Sequence, residues 1–128
     1  MSELVQIQNN LGENIKVSSL KIDTIKKISR IASMCDNILA IIVFGSSVED
    51  RCRDTSDIDM AIISDIPTSR LFMKKQFKQF TQRLYSIDTQ QEYDFLYFNG
   101  LEAVSNRKEA VCRDIVNKGV YIYRKEVK

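Results

Sequence analysis

The residues of this chain best suited to chemistry are two carboxylates downstream of a glycine–serine pair. Asp57 and Asp59 flank Ile58, and ten residues separate Asp57 from Gly45-Ser46. Alternate side chains of a strand share a face, so a strand here points both carboxylates the same way. Like charges that close repel unless a cation lies between them. Two divalent ions about 4 Å apart can clamp the attacking and leaving oxygens of an in-line phosphoryl displacement. Oxygen-only ligands point to Mg²⁺, two ions, or Mn²⁺. A glycine lets backbone approach a ligand closely, and Ser46 adds a hydroxyl and an N–H that can hold phosphate oxygens.

A third acid completes such a site. Asp94 sits in Tyr93-Asp94-Phe95-Leu96-Tyr97, otherwise apolar or aromatic. A lone carboxylate in a core strand is costly unless it meets a cation or several donors. Asp94 is therefore expected to ligate metal and to assist deprotonation of an attacking hydroxyl.

Rival chemistries are few, because the chain of 128 residues contains no histidine. A Ser-His-Asp triad, a Cys-His pair and His-ligated zinc are all excluded. The net charge of +2 is too weak to argue for nucleic-acid binding. The longest apolar run, residues 38–44, is far short of a membrane span. No apolar secretory segment opens the chain, and the three cysteines are widely spaced. A reduced, cytoplasmic setting is the expectation. The cysteines read as small buried apolar residues, except Cys52, which the charged loop is expected to expose.

Residues 1–18 are polar and weakly patterned, and are expected to be a flexible lead-in to one domain over 19–128. Ser18 or Ser19 caps a helix to about Cys35, with Ile22, Ile25, Ile28, Ile31, Ala32 and Cys35 on one face. Residues 38–44 suit a strand buried on both faces, ended by Gly45. The polar stretch 46–56 is a loop with one helical turn. A second strand covers 57–63. A helix then runs from 68 to about 85, with Met73, Phe77, Phe80 and Leu84 inward. Residues 92–97 form a third strand. Helix resumes over about 101–117, in one or two pieces, with Val111 and Ile115 inward. Gly119 takes the C′ position, and 120–123 make a final strand before a charged tail. The class is α/β, a small mixed sheet flanked by helices. About a dozen residues join the first two of these strands, so they should pair antiparallel.

With these residues in place, the segment from Phe44 to Ile63 resembles the signature of the DNA polymerase β-type nucleotidyltransferase superfamily. The compact length and the ending Lys118-Gly119-Val120-Tyr121-Ile122-Tyr123 look most like its minimal, MNT-type members. The resemblance covers roughly residues 20–123. It implies that Gly45 and Ser46, with Ser47 beside them, grip the triphosphate of ATP. It implies that Asp57 and Asp59 bind the metals and that Asp94 is the third acid. Many MNT-type members carry Arg after the Gly-Ser pair, where this chain has Ser47. Arg51 or Arg53 is the candidate for the missing charge. The resemblance further suggests the antitoxin of a HEPN–MNT toxin–antitoxin pair, which transfers AMP to a tyrosine of the HEPN toxin. With no chain left over for a substrate domain, the acceptor pocket is expected to come from a second copy of the chain or from a macromolecular acceptor.

Plainer readings stand beside these. Gly45 can be a simple turn, Asp57 and Asp59 a solvated strand edge, and Asp94 a surface residue. Lys74, Lys75 and Lys78 read as a solvated helix face. Tyr93, Tyr97, Tyr121 and Tyr123 read as sheet packing. At the level of function, the alternatives are a non-catalytic antitoxin module of the same fold and a transferase acting on an aminoglycoside-like small molecule.

Overall fold

The computed structural model describes residues 2–126. Met1 of the expected lead-in, and residues 127–128 of the expected domain and its tail, lie outside the described residues. The elements in order are β1 (Leu4–Gln8), β2 (Asn14–Ser18), α1 (Ile22–Ala32), β3 (Ile38–Phe44), a 3₁₀ turn (Gly45–Val48) and β4 (Ile58–Ser64). There follow α2 (Thr68–Leu71), α3 (Lys75–Ile87), β5 (Tyr93–Asn99), α4 (Ala103–Asn106), α5 (Ala110–Lys118) and β6 (Val120–Arg124).

Four strands form one sheet in the order β5-β4-β3-β6. β3 runs antiparallel to both β4 and β6, as the short connection requires, and β4 and β5 are parallel. Alternation then divides the side chains between two layers. Ile41, Val43, Ile58, Met60, Ile62 and Ile122 face α1 and α3. Ala40, Ile42, Phe44, Ala61 and Ile63 face Val104 of α4 and Cys112 and Ile115 of α5. Each large apolar side chain removed from water in these layers contributes about 1.5–3 kcal/mol before the entropy of ordering is set against it. Asp59 alternates with Ile58 and Met60, so it falls on the α4–α5 side.

Residues 4–18, expected as a flexible lead-in, form an antiparallel hairpin instead. Leu4 pairs with Ser18 and Gln8 with Asn14. Asn9 builds its turn, its Oδ1 accepting from the N–H groups of Leu11 and Glu13, both at 3.0 Å. Ile15 and Val17 join the main core. Asn9 and Asn10 donate to the carbonyls of Tyr121 and Arg124, tying the hairpin to β6.

Other expectations shift locally. Helix α1 starts at Ile22 because Ser18 ends β2 and its hydroxyl accepts from Leu20 N in a turn. The long helix after Pro67 is broken after Leu71. Phe72 stacks on Phe77 at 5.7 Å and meets the edge of Tyr97 at 4.9 Å. In one unbroken helix, positions five apart would point about 140° apart, which forbids that stacking. Met73, expected inward, is 78% exposed in the break. On α5 the inward residues are Cys112 and Ile115, whereas Val111 is exposed. Cys52 is buried, not exposed, and its thiol donates to the carbonyl of Arg53. All three cysteines are free and buried. No helix among the described residues is long and apolar enough to cross a membrane.

Candidate active site

Strand register brings the predicted residues together. Phe44 is opposite Asp59 in the β3–β4 pairing, and Asp59 is opposite Asp94 in the β4–β5 pairing. Gly45 follows Phe44 directly, so Gly45, Asp59 and Asp94 lie in a row across the sheet at the end where β3 finishes and β4 and β5 begin. A surface cavity of about 490 Å³ opens there, lined by Ser46, Arg51, Arg53, Ser56, Asp57, Asp59 and Asp94.

Gly45 has φ +70°, the left-handed region that favours glycine. A side chain there would also strike the Asp59 carboxylate, with Oδ2 as the nearest atom. The glycine therefore does two things: it turns the chain out of β3 and leaves room for the carboxylate. Ser46 reaches the cavity. Ser47 does not, for its side chain is buried and its hydroxyl has no hydrogen-bond partner among the described residues. Three residues per turn put successive side chains about 120° apart, so the 3₁₀ geometry turns Ser47 inward when Ser46 faces out.

Asp59 is half-buried, and its pKa is raised from 3.8 to about 6. Desolvation is the largest cause, followed by the adjoining Asp94 carboxyl, through hydrogen bonding and charge, and then by the charge of Asp57. Arg51 opposes the shift. Asp94 is not in the core as expected: β5 is an edge strand and Asp94 is exposed at the cavity. Among the described residues no three acidic side chains converge as a compact ligand cluster. Asp59 and Asp94 are adjoining, and Asp57 borders the same space. Carboxylate and hydroxyl oxygens in a cavity without histidine or cysteine suit a hard divalent cation, which would also relieve the crowding of negative charge on Asp59.

The sequence profile of the family described as polymerase beta, nucleotidyltransferase, matches residues 26–128. The chain belongs to this family. The resemblance drawn from Gly45-Ser46 and Asp57-Ile58-Asp59 is thereby borne out at family level, and the mixed sheet flanked by helices agrees with the fold it implied. Among solved structures, the nucleotidyltransferase domain is similar to a Sulfolobus solfataricus protein classed as a nucleotidyltransferase. That pair is 21% identical, with a TM-score of 0.50, covering 83% of this chain and 85% of the other. It is also similar to a mutant of the toxin–antitoxin MntA–HpeT, at 16% identity and TM-score 0.49, covering 81% and 73% of the two chains. No curated protein matches the chain.

Two features of the cavity escaped the sequence reading. Ser56 lines it, and behind Ser56 lies a buried lysine, Lys21. The only sequence signal for Lys21 is a cation among the apolar residues at the start of α1, which reads as an ordinary surface charge. Arg51 and Arg53, by contrast, both reach the rim. Arg51 pairs there with Glu49, which raises its pKa.

Proposed function

We propose that this nucleotidyltransferase transfers AMP from ATP to a protein acceptor, a tyrosine of a partner HEPN-type toxin, and so acts as an antitoxin. The observation that carries the transfer step is the cavity that gathers Ser46, Asp57, Asp59 and Asp94 beside Gly45. The acceptor rests on the resemblance of the motif and of the segment from Lys118 to Tyr123 to MNT-type members. Three free, buried cysteines accord with a cytoplasmic setting.

In this reading Gly45 and Ser46 offer N–H groups and a hydroxyl to phosphate oxygens. Asp57, Asp59 and Asp94 would hold Mg²⁺, which when bound neutralises charge on the triphosphate and orients it. Arg51 and Arg53 on the rim add positive charge facing the polyphosphate. The tyrosine oxygen bonds to the α-phosphorus, the bond between that phosphorus and the bridging oxygen to the β-phosphate breaks, and pyrophosphate leaves. Asp94, exposed at the cavity, takes the tyrosine proton.

The test is transfer of label from α-labelled ATP, with Mg²⁺, to a purified HEPN-type toxin supplied as the acceptor. Labelling of that protein is expected, and the double variant Asp57→Asn, Asp59→Asn should abolish it. Labelling that survives the double change would sink the reading. A toxin neutralised equally well by the double variant would assign the chain to contact inhibition without chemistry.

A further inference from the structure

Lys21 is 2% exposed, yet carries an ammonium group. Its Nζ donates to the carbonyl of Asp54 at 3.0 Å, to the carbonyl of Ser56 at 2.8 Å and to Oε1 of Gln91 at 2.8 Å. Three donors meet three acceptors, and none of the acceptors is a carboxylate. Burying a charge without a counter-charge costs several kcal/mol, so an ion pair is not what this lysine provides. What it provides is a three-way donor that no neutral side chain of similar length can supply.

The acceptors belong to two segments. Asp54 and Ser56 lie in the loop that runs straight into Asp57 and β4. Gln91 lies in the segment that runs into β5 and Asp94. Gln91 Nε2 in turn donates to the carbonyl of Ser56 at 3.0 Å and to that of Glu92 at 2.7 Å. Ile58 N donates to the same Glu92 carbonyl at 3.0 Å. Lys21 itself is fixed, because it is the residue that opens α1, and α1 packs on the sheet through Ile25 and Ile28.

We propose that Lys21, through Gln91 and Ser56, is a positioning residue that sets the distance between the Asp57–Asp59 carboxylates and Asp94. It fastens together the approach segments of the two strands that carry them. The proposal rests on the reading of these three acids as the metal-binding group. Outer partners that orient ligands typically change metal affinity by about 10- to 100-fold when removed.

The experiment measures Mn²⁺ binding alone, without nucleotide or acceptor, by calorimetry, together with amide hydrogen exchange over residues 54–58 and 91–94. In Lys21→Met, at a temperature where circular dichroism shows the fold intact, Mn²⁺ affinity is expected to fall by about 10- to 100-fold. Exchange in those two segments should quicken, while that of β3 and β6 stays unchanged. Lys21→Arg, which keeps several donors, should recover part of the affinity. Gln91→Leu should reproduce the loss, and adding it to Lys21→Met should add little further. A folded Lys21→Met that binds Mn²⁺ within about twofold of the parent overturns the proposal. If the parent itself binds no Mn²⁺, the metal-site reading fails, and exchange alone decides whether the clamp exists. If Lys21→Met does not fold, Gln91→Leu is judged by the same two measurements.

Discussion

Gly45 and Asp59 compete for one volume: any side chain on Gly45 would overlap the Asp59 carboxylate. The motif's spacing thus has a steric basis. The antiparallel register that sets Phe44 opposite Asp59 places the next residue, Gly45, against that carboxylate. Gly45→Ala combines a residue held at φ +70° with this overlap. The variant should lose about 1–3 kcal/mol of stability, read by chemical denaturation. Mn²⁺ binding should fall as well, since Asp59 has to turn aside. A variant of parental stability and affinity would show that the carboxylate is free to relocate.

The raised pKa of Asp59 makes stability depend on pH. Its folded value of about 6 lies above the ordinary 3.8, so the folded state binds more protons between those values. Stability without metal should therefore fall as pH rises from about 4 to about 6, and level off above. Asp59→Asn removes that slope. At pH 7 it should be more stable than the parent by about 1 kcal/mol after discounting for solvent screening, a rise in Tm of about 3–6 °C. At pH 4 the two should melt together. Thermal denaturation at both pH values checks this, and a variant less stable than the parent at pH 7 would contradict it.

Metal binding should invert that relation. A cation needs Asp59 ionised, so its affinity should rise as pH increases through about 6, with release of a proton. Calorimetry with Mn²⁺ in two buffers of different ionisation enthalpy reads the proton directly. The parent should gain stability with Mn²⁺ at pH 7, and Asp59→Asn should not. Equal binding at pH 5 and pH 7 would remove Asp59 from the ligand set.

Much of this geometry is visible in the sequence, and the parts that are not have identifiable causes. The run Ile38–Phe44 and the alternation at Asp57–Ile63 announce strands because a two-faced core demands those patterns. The hairpin at residues 4–18 carried a weaker form of the same signal. Val5 and Ile7 alternate with polar residues, as do Ile15 and Val17, around an Asn-Asn-Leu-Gly turn. Each strand alone is too short and polar to stand out, and the pair is held by burying Ile15 and Val17 in the main core and by docking on β6. The break after Leu71 depends on Phe72 meeting Tyr97, a contact between distant positions that periodicity does not contain. Ser47, expected beside the triphosphate, and Lys21 are both buried, and the sequence hides this for one reason. Polar residues are read as outward-facing until the acceptors or the turn geometry that hold them inside are known.

The two arginines on the cavity rim should contribute unequally. Arg51 is engaged by Glu49, whose carboxylate already takes part of its charge. Arg53 lines the same cavity and is exposed, with its backbone N–H held by Ser56 Oγ at 3.0 Å. Arg53→Ala should therefore raise KM for ATP by about 10-fold, the effect of losing one charge-assisted phosphate contact, with a smaller change in kcat. Arg51→Ala should do less. Steady-state kinetics of the labelling reaction decides, and the reverse order would place Arg51 on the polyphosphate.

Gly119 provides a control far from the acids in chemistry but joined to them by the sheet. Its φ of −65° suits any residue, so conformational freedom is not why it is glycine. It is glycine because α5 must turn into β6 against β3. A Cβ there would come within 2.5 Å of the Ile115 carbonyl oxygen and 2.6 Å of Cγ2 of Ile42. The carbonyl belongs to helix backbone and Ile42 is in the core, so neither can yield cheaply. Gly119→Ala should cost about 1–3 kcal/mol through overpacking, enough to lower Tm by several degrees. Since the clash lies between Ile42 and Ile115 and not at Asp59, Mn²⁺ affinity of the folded fraction should stay at the parental value. Loss of affinity without loss of stability would show instead that the start of β6 controls how β3 delivers Gly45 to the cavity.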